Sequence, residues 1–261
     1  MRLDRYLSQC LGLTRSESRR LDAAGRVAVD GAVCKKADCQ INETSAQVRV
    51  DGKPLEGGYR KYLYLMLNKP AGVVSAARDR RDVTVVDLVR DVCPRRELFP
   101  AGRLDKTSTG FVLLTDDGAF AHDILAPGRH VSKQYLVTLD TPLTGAMTAG
   151  FAAGVTLADG QTLAPAEVGP AGPDPCVVRV VLHQGVYHQI KRMFGVFGAG
   201  VNGLHREAIG PVALDPALAP GQWRELTGEE VSALRAAAGK GCAVKPSSTV
   251  PPQPLRSQRR G

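Results

Sequence analysis

No stretch of this chain reaches about 18 uninterrupted apolar residues, so no membrane-spanning helix is expected. The opening Met1-Arg2-Leu3-Asp4-Arg5 lacks the apolar core of a secretory leader, and a cytoplasmic protein is expected. Cysteines are present but scattered, at 10, 34, 39, 93, 176 and 242, with no Cys-x-x-Cys pair. That spacing argues against a disulfide or zinc framework and fits a reducing compartment. A Walker loop and a metal-ligand cluster are missing. Neither a cofactor nor a metal is therefore expected.

What is present is a 261-residue chain that is 43% apolar, enough for one large or two ordinary domains with real cores. Its net charge of +8 is uneven. Residues 1–60 carry 11 basic and 8 acidic groups, residues 61–239 carry 18 of each, and residues 240–261 carry 5 basic groups and no acidic one. The excess sits at the two ends and suggests a polyanionic partner.

Residues 1–57 read as a small module. Leu3, Tyr6, Leu7, Cys10 and Leu11 recur at helical spacing up to Gly12. Thr14 and Glu17 form a capping box that opens a second helix, which Gly25 ends. Val27-Ala28-Val29, Asp30-Gly31 and Val33 read as a hairpin, and Gln47 to Val50 as a last strand. Arg15, Arg19 and Arg20 fall near one face of the second helix. Residues 53–61 read as a Pro/Gly linker.

A second domain, residues 58–238, opens on a strand from Tyr62 to Leu67 that Asn68-Lys69-Pro70 breaks. A short helix is expected over Val83 to Val89. Phe111 to Thr115 reads as a buried strand closed by Asp116-Asp117-Gly118, and Gly118 to Leu125 as a helix. Ahead of that strand lies a glycine-bracketed loop, Gly102-Arg103-Leu104-Asp105-Lys106-Thr107-Ser108-Thr109-Gly110. In Ser132 to Leu139, Lys133, Tyr135, Val137 and Leu139 share one face. Val177 to Leu182 is another apolar strand. The stretch Tyr187 to Phe194 starts a helix with Ile190, Met193 and Phe194 inward and Lys191 and Arg192 elsewhere. A second capping box, Thr227 to Glu230, opens the last helix. Residues 239–261 read as a disordered basic tail.

Taken singly, Arg103 and Asp105 could be a turn's solvated charges, and Lys191-Arg192 a wet helix face. Together, Gly-Arg-Leu-Asp, Lys133-x-Tyr135 and His188-Gln-Ile-Lys191-Arg192-Met193 occur in the order found in pseudouridine synthases, and the chain resembles their RsuA-type, small-subunit ribosomal branch. The first fifty residues, through Gly25-Arg-Val-x-Val-Asp-Gly31, resemble the S4 RNA-binding domain. The resemblance implies an α+β fold, with an S4-like module joined to a catalytic domain built on a central, mostly antiparallel sheet. It implies catalytic roles for Asp105, Tyr135 and Lys191, with Lys191 pairing with Asp105, and RNA contacts from Arg103, Arg15, Arg19, Arg20 and Arg192. Asp105 would act as nucleophile or as the base of a glycal route, and Tyr135 would offer a stacking face and a hydroxyl. The implied activity is isomerisation of a uridine in 16S rRNA, the one numbered 516, by a monomer working on rRNA that is free or within a partly assembled small subunit. A 23S rRNA enzyme of the same family and a non-catalytic assembly factor are the alternatives. Thr107 and Val186 depart from the family's usual residues, at positions expected to lie outside the catalytic set.

Overall fold

The computed structural model describes residues 1–43, 45–55, 60–90, 96–126 and 131–239. The expected basic tail from residue 240 onward, like Cys93 and Cys242, lies outside the described residues.

The first unit packs helices α1 (Leu3–Leu11) and α2 (Arg15–Ala23) on a four-stranded sheet. Its strands are β1 (Val27–Val29), β2 (Ala32–Val33), β3 (Val48–Val50) and β4 (Lys53–Pro54), in the order β2-β1-β3-β4. Asp30-Gly31 and Asp51-Gly52 both turn with positive φ at each residue, which matches the twist of tight antiparallel hairpins. Lys53 and Pro54 therefore pair with β3 and belong to the sheet rather than to the expected linker. The capping box forms as read: Thr14 Oγ1 accepts from the Glu17 backbone N at 3.1 Å, and the Glu17 carboxylate accepts from the Thr14 N at 2.6 Å. Leu3, Tyr6 and Leu7 fill the core with Val27, Ile41 and Val48, while Leu11 is exposed instead of buried. Asp4, almost fully buried, accepts hydrogen bonds from Arg2 and Arg19 and so ties α1 to α2. Burial pushes its pKa up, but the two guanidinium groups outweigh that and hold it below the usual carboxylate range.

The larger unit is built on nine strands. In chain order these are β5 (Tyr64–Lys69), β6 (Phe99–Pro100), β7 (Thr109–Thr115), β8 (Lys133–Leu139), β9 (Glu167–Pro170), β10 (Val177–Leu182), β11 (Val201–Ile209), β12 (Val212–Ala213) and β13 (Trp223–Glu225). The main path runs β13-β5-β7-β11-β8-β10-β9, with β6 beside β7 and β12 beside β11. Every strand pair is antiparallel except β7 with β11, which meet only where Thr109-Gly110 lie opposite His205-Arg206. The sheet thus has two halves joined at one narrow contact. α3 (Gly118–Leu125) and α6 (Gly228–Gly239) pack on one half with Met66, Phe111 and Leu113. α4 (Gly145–Ala153) and α5 (Gln189–Val196) cover a second core of Leu65, Leu67, Val112, Val137 and Val180, where Phe151 meets Phe194 at 4.7 Å between ring centroids.

Two local readings change. β5 continues through Asn68 and Lys69 before Pro70 stops it. The helix expected over Val83 to Val89 is a single 3₁₀ turn, Asp87–Val89, whose start is capped reciprocally by Thr84 and Asp87. The Thr227–Glu230 box forms as read.

Asp22 is fully buried, and both its carboxylate oxygens lack a hydrogen-bond partner. Burial and the nearby Asp4 push its pKa from 3.8 up to about 6. A raised carboxyl pKa stabilises the fold fully below pH 3.8 and loses that contribution as pH rises through about 6. Asp22→Asn should therefore raise the thermal stability at pH 7.5 by on the order of 2 kcal/mol, with a smaller or no gain at pH 4. Melting curves of both proteins across that range check it.

Candidate active site

The loop from Ala101 to Ser108 joins β6 to β7 and is pinned from beneath. Lys69, at the end of β5, is completely buried. Its ammonium donates to the carbonyls of Pro70 (3.0 Å), Lys106 (3.3 Å) and Ser108 (2.7 Å), which uses all three of its protons. Burial pushes its pKa down to about 8; the charge of Asp105 opposes that shift and Arg206 adds to it. Arg206, 2% exposed, donates through Nε to the Phe111 carbonyl at 2.6 Å and through Nη1 to the Arg103 carbonyl at 3.5 Å. Ser75 completes the grip: its hydroxyl donates to the Leu104 carbonyl at 2.9 Å and accepts from the Leu104 N at 3.0 Å.

These groups follow the sheet register. Lys69 lies opposite Gly110, Gly110 opposite Arg206, and Arg206 opposite Tyr135. Directly opposed residues share a face and stand within reach of one another. Gly110 is required at the centre of the row. It has φ of +100°, and a Cβ there would lie 2.4 Å from the Arg206 carbonyl oxygen and 2.6 Å from its N. The missing side chain lets the β7 backbone lie directly against that of β11 at Arg206.

Asp105 projects from the pinned loop toward the start of α5. Lys191 Nζ lies 3.7 Å from its Oδ2, and His188 Nε2 lies 3.3 Å from its Oδ1. All three side chains are about one third exposed, so the cluster is open to a ligand. Lys191 also reaches Thr107 Oγ1 at 3.4 Å. Thr107, expected to lie outside the catalytic set, is thus in contact with it. Tyr135 is 9% exposed, and its ring belongs to the core that includes Leu104 and Ile190. Little of its face is open for stacking, and its hydroxyl has no protein partner among the described residues.

The expected pairing of Lys191 with Asp105 is therefore present, and the register places Tyr135 beside Arg206 under the same loop. Arg103 is exposed on the loop itself. Arg192 instead turns to an ion pair with Asp159. Arg15, Arg19 and Arg20 are exposed on α2, with Arg19 engaged by Asp4.

Sequence reasoning gave no role to His188 or Lys69. His188 sits at φ 50°, a left-handed backbone conformation that aims its ring at Asp105, and its ring stacks on that of Tyr187 at 3.8 Å. Tyr187 is 76% exposed, an aromatic face beside the carboxylate. The family motif contained His188, but only the left-handed turn shows where the imidazole goes. Lys69 was hidden because Pro70 reads as the end of a strand.

Residues 63–195 match the family model described as RNA pseudouridylate synthase. The ribosomal small subunit pseudouridine synthase A of Yersinia pestis is 43% identical over 239 residues, covering 90% of this chain and 99% of that protein. An uncharacterized RNA pseudouridine synthase of Bacillus subtilis is 41% identical over 236 residues, covering 90% and 98%. The crystal structure of a pseudouridylate synthase aligns with a TM-score of 0.62 at 36% identity, over 90% of this chain and 99% of that one.

Lys69→Met fills the same space but leaves the carbonyls of Pro70, Lys106 and Ser108 without their donor. It should destabilise the fold by about 1–3 kcal/mol. Amide exchange over residues 102–110 should speed up more than exchange in β8 or β10. Hydrogen-exchange mass spectrometry of the two proteins reads both effects, and equal protection of the loop in the variant would refute the pinning role.

Proposed function

Because the chain belongs to the RNA pseudouridine synthase family, isomerases that convert uridine to pseudouridine, we propose that Asp105 is its catalytic carboxylate and 16S rRNA its substrate, at the uridine numbered 516. The observation that carries the assignment is the Asp105 cluster: a carboxylate on a pinned loop, open to solvent and faced by the cations or donors Lys191 and His188. The isomerisation breaks the C1′–N1 bond and joins C1′ to C5 of the same ring. C5 loses its hydrogen as a proton and N1 gains one, so atoms balance with no redox step and no transferred group.

In this reading Asp105 acts on the sugar, as nucleophile at C1′ or as the base of a glycal route. The Lys191 ammonium lies 3.7 Å from the carboxylate that both routes use. Tyr135, with a hydroxyl free of protein partners, takes part in proton transfer at C5 once the base is bound. The Tyr187–His188 stack supplies an aromatic face against which a base can rest on leaving its helix. Extrusion of the uridine costs a few kcal/mol. Phosphate contacts from Arg103, and from Arg15, Arg19 and Arg20 of the S4-like module, offset it and make binding salt-dependent.

The names of the relatives favour small-subunit rRNA as the substrate. No helix among the described residues is long and apolar enough to cross a membrane. The proposed setting is the cytoplasm, where the enzyme works as a monomer on rRNA that is free or within a partly assembled small subunit.

Carbodiimide-stop mapping of rRNA from cells with and without the gene tests the substrate. Loss of the stop at uridine 516 of 16S rRNA is expected. Loss of a stop only in 23S rRNA would transfer the activity to the other subunit. In single-turnover assays, Lys191→Met and Tyr135→Phe should each slow isomerisation by about 10²–10⁴-fold, the span of a lost acid–base or charge partner. Either variant turning over at the wild-type rate would remove that residue from the catalytic set.

A further inference from the structure

Arginines in the larger unit are mostly committed. Arg96, Arg179, Arg192, Arg224 and Arg235 each pair with a carboxylate. Arg78, Arg80 and Arg81 are different. All three are exposed, and none pairs with a carboxylate or another side chain among the described residues. They fall within four consecutive positions of one loop, residues 78–81.

That loop is braced against the catalytic loop on both sides of Asp105. At its start, Ser75 bonds the backbone of Leu104 twice. At its end, Asp82 pairs with Lys106 at 2.7 Å. Leu104 and Lys106 are the two chain neighbours of Asp105, so the arginines stand on a bridge that flanks the carboxylate. The bridge has a shape of its own. Val74 takes its backbone bonds from the far strand of the loop, receiving from Val85 N at 2.9 Å and donating to the Val83 carbonyl at 3.0 Å. Its two acidic residues are already occupied. Asp79 Oδ1 accepts from the backbone N of Arg81 at 2.8 Å and of Asp82 at 3.0 Å, and Asp82 is held by Lys106. The guanidinium groups are therefore left as the loop's unsatisfied charge.

An unpaired guanidinium fork is matched in geometry to a phosphate's oxygens. Three forks on a rigid loop bind a polyanion that passes along it rather than a single small anion. We propose that Arg78, Arg80 and Arg81 form a clamp for the RNA backbone next to the target uridine, holding the strand in place while its base turns toward Asp105. The clamp rests on the reading of RNA as the substrate. It acts at the backbone and selects for position, not for sequence.

The test is equilibrium binding of a fluorescein-labelled 16S rRNA fragment containing uridine 516, and of an oligouridylate of equal length, over a series of KCl concentrations. Each single Arg→Ala variant should lower the slope of log affinity against log salt by about 0.7, the value for one phosphate contact on a single strand. The triple alanine variant should lower it by about 2 on the same counting. Replacement of all three by lysine should keep most of the slope while weakening binding, because the charge stays and the fork is lost. Unchanged affinity and slope in the single alanine variants would overturn the clamp. The singles, at exposed positions, also protect the result against a triple variant that fails to fold. If wild-type protein and rRNA mapping showed no isomerised uridine while the slopes still fell, the substrate reading and the clamp's place beside a target uridine would fail, and only the phosphate contacts of the three arginines would stand. If mapping succeeded and the slopes did not move, the clamp alone would fail.

Discussion

Three backbone carbonyls, from Pro70, Lys106 and Ser108, converge on the Lys69 ammonium where β5 ends. A buried ammonium is tolerated only when its protons are all used, and here the loop itself supplies the acceptors. The dependence runs both ways. Without the loop in place Lys69 would be an unsatisfied buried charge, and without Lys69 the loop would expose three carbonyls to the interior. In the proposed chemistry Asp105 meets a sugar carbon at short range, which needs a backbone that does not drift, since small misplacements of reacting groups cost large factors in rate.

A second constraint is the excess of buried positive charge. Lys69, Lys133 and Arg206 are all nearly inaccessible, and no carboxylate forms an ion pair with any of them among the described residues. Lys133 lies among the Ile124 and Val131 carbonyls, and burial, with Arg206 adding, pushes its pKa down to about 8. One Nη of Arg206 has no hydrogen-bond partner among the described residues. Lys69 and Arg206 both donate to backbone carbonyls of the loop that carries Asp105. The sheet's narrow join depends on Gly110, which lets the β7 backbone touch that of β11 at Arg206.

Much of this was legible in the chain. The Asp105 loop, the buried strand after it, the helix from Gly118 to Leu125, the capping boxes at Thr14 and Thr227, and the inward face of Ile190, Met193 and Phe194 all follow from local periodicity and turn chemistry. The meeting of Lys191 with Asp105 came from family resemblance, since nothing local brings residues 105 and 191 together. What stayed hidden is tertiary. Lys69 looks like a solvated residue before a proline until β7 and the loop are packed over it. His188 reaches Asp105 only through a left-handed backbone that a non-glycine residue rarely adopts. Thr107 looked like a neutral departure until α5 placed Lys191 against it. The helix expected near Val83 is only one 3₁₀ turn, although Thr84 and Asp87 cap its start as Thr14 and Glu17 cap α2.

The most direct test of the central claim is tritium release from 16S rRNA carrying 5-tritiated uridine, measured for Asp105→Asn beside the wild-type enzyme, with RNA binding measured in parallel. The account requires binding close to wild type and no release above background, because the amide keeps the shape of the cluster and removes its charge. Release at the wild-type rate would show that the chemistry lies elsewhere on the molecule.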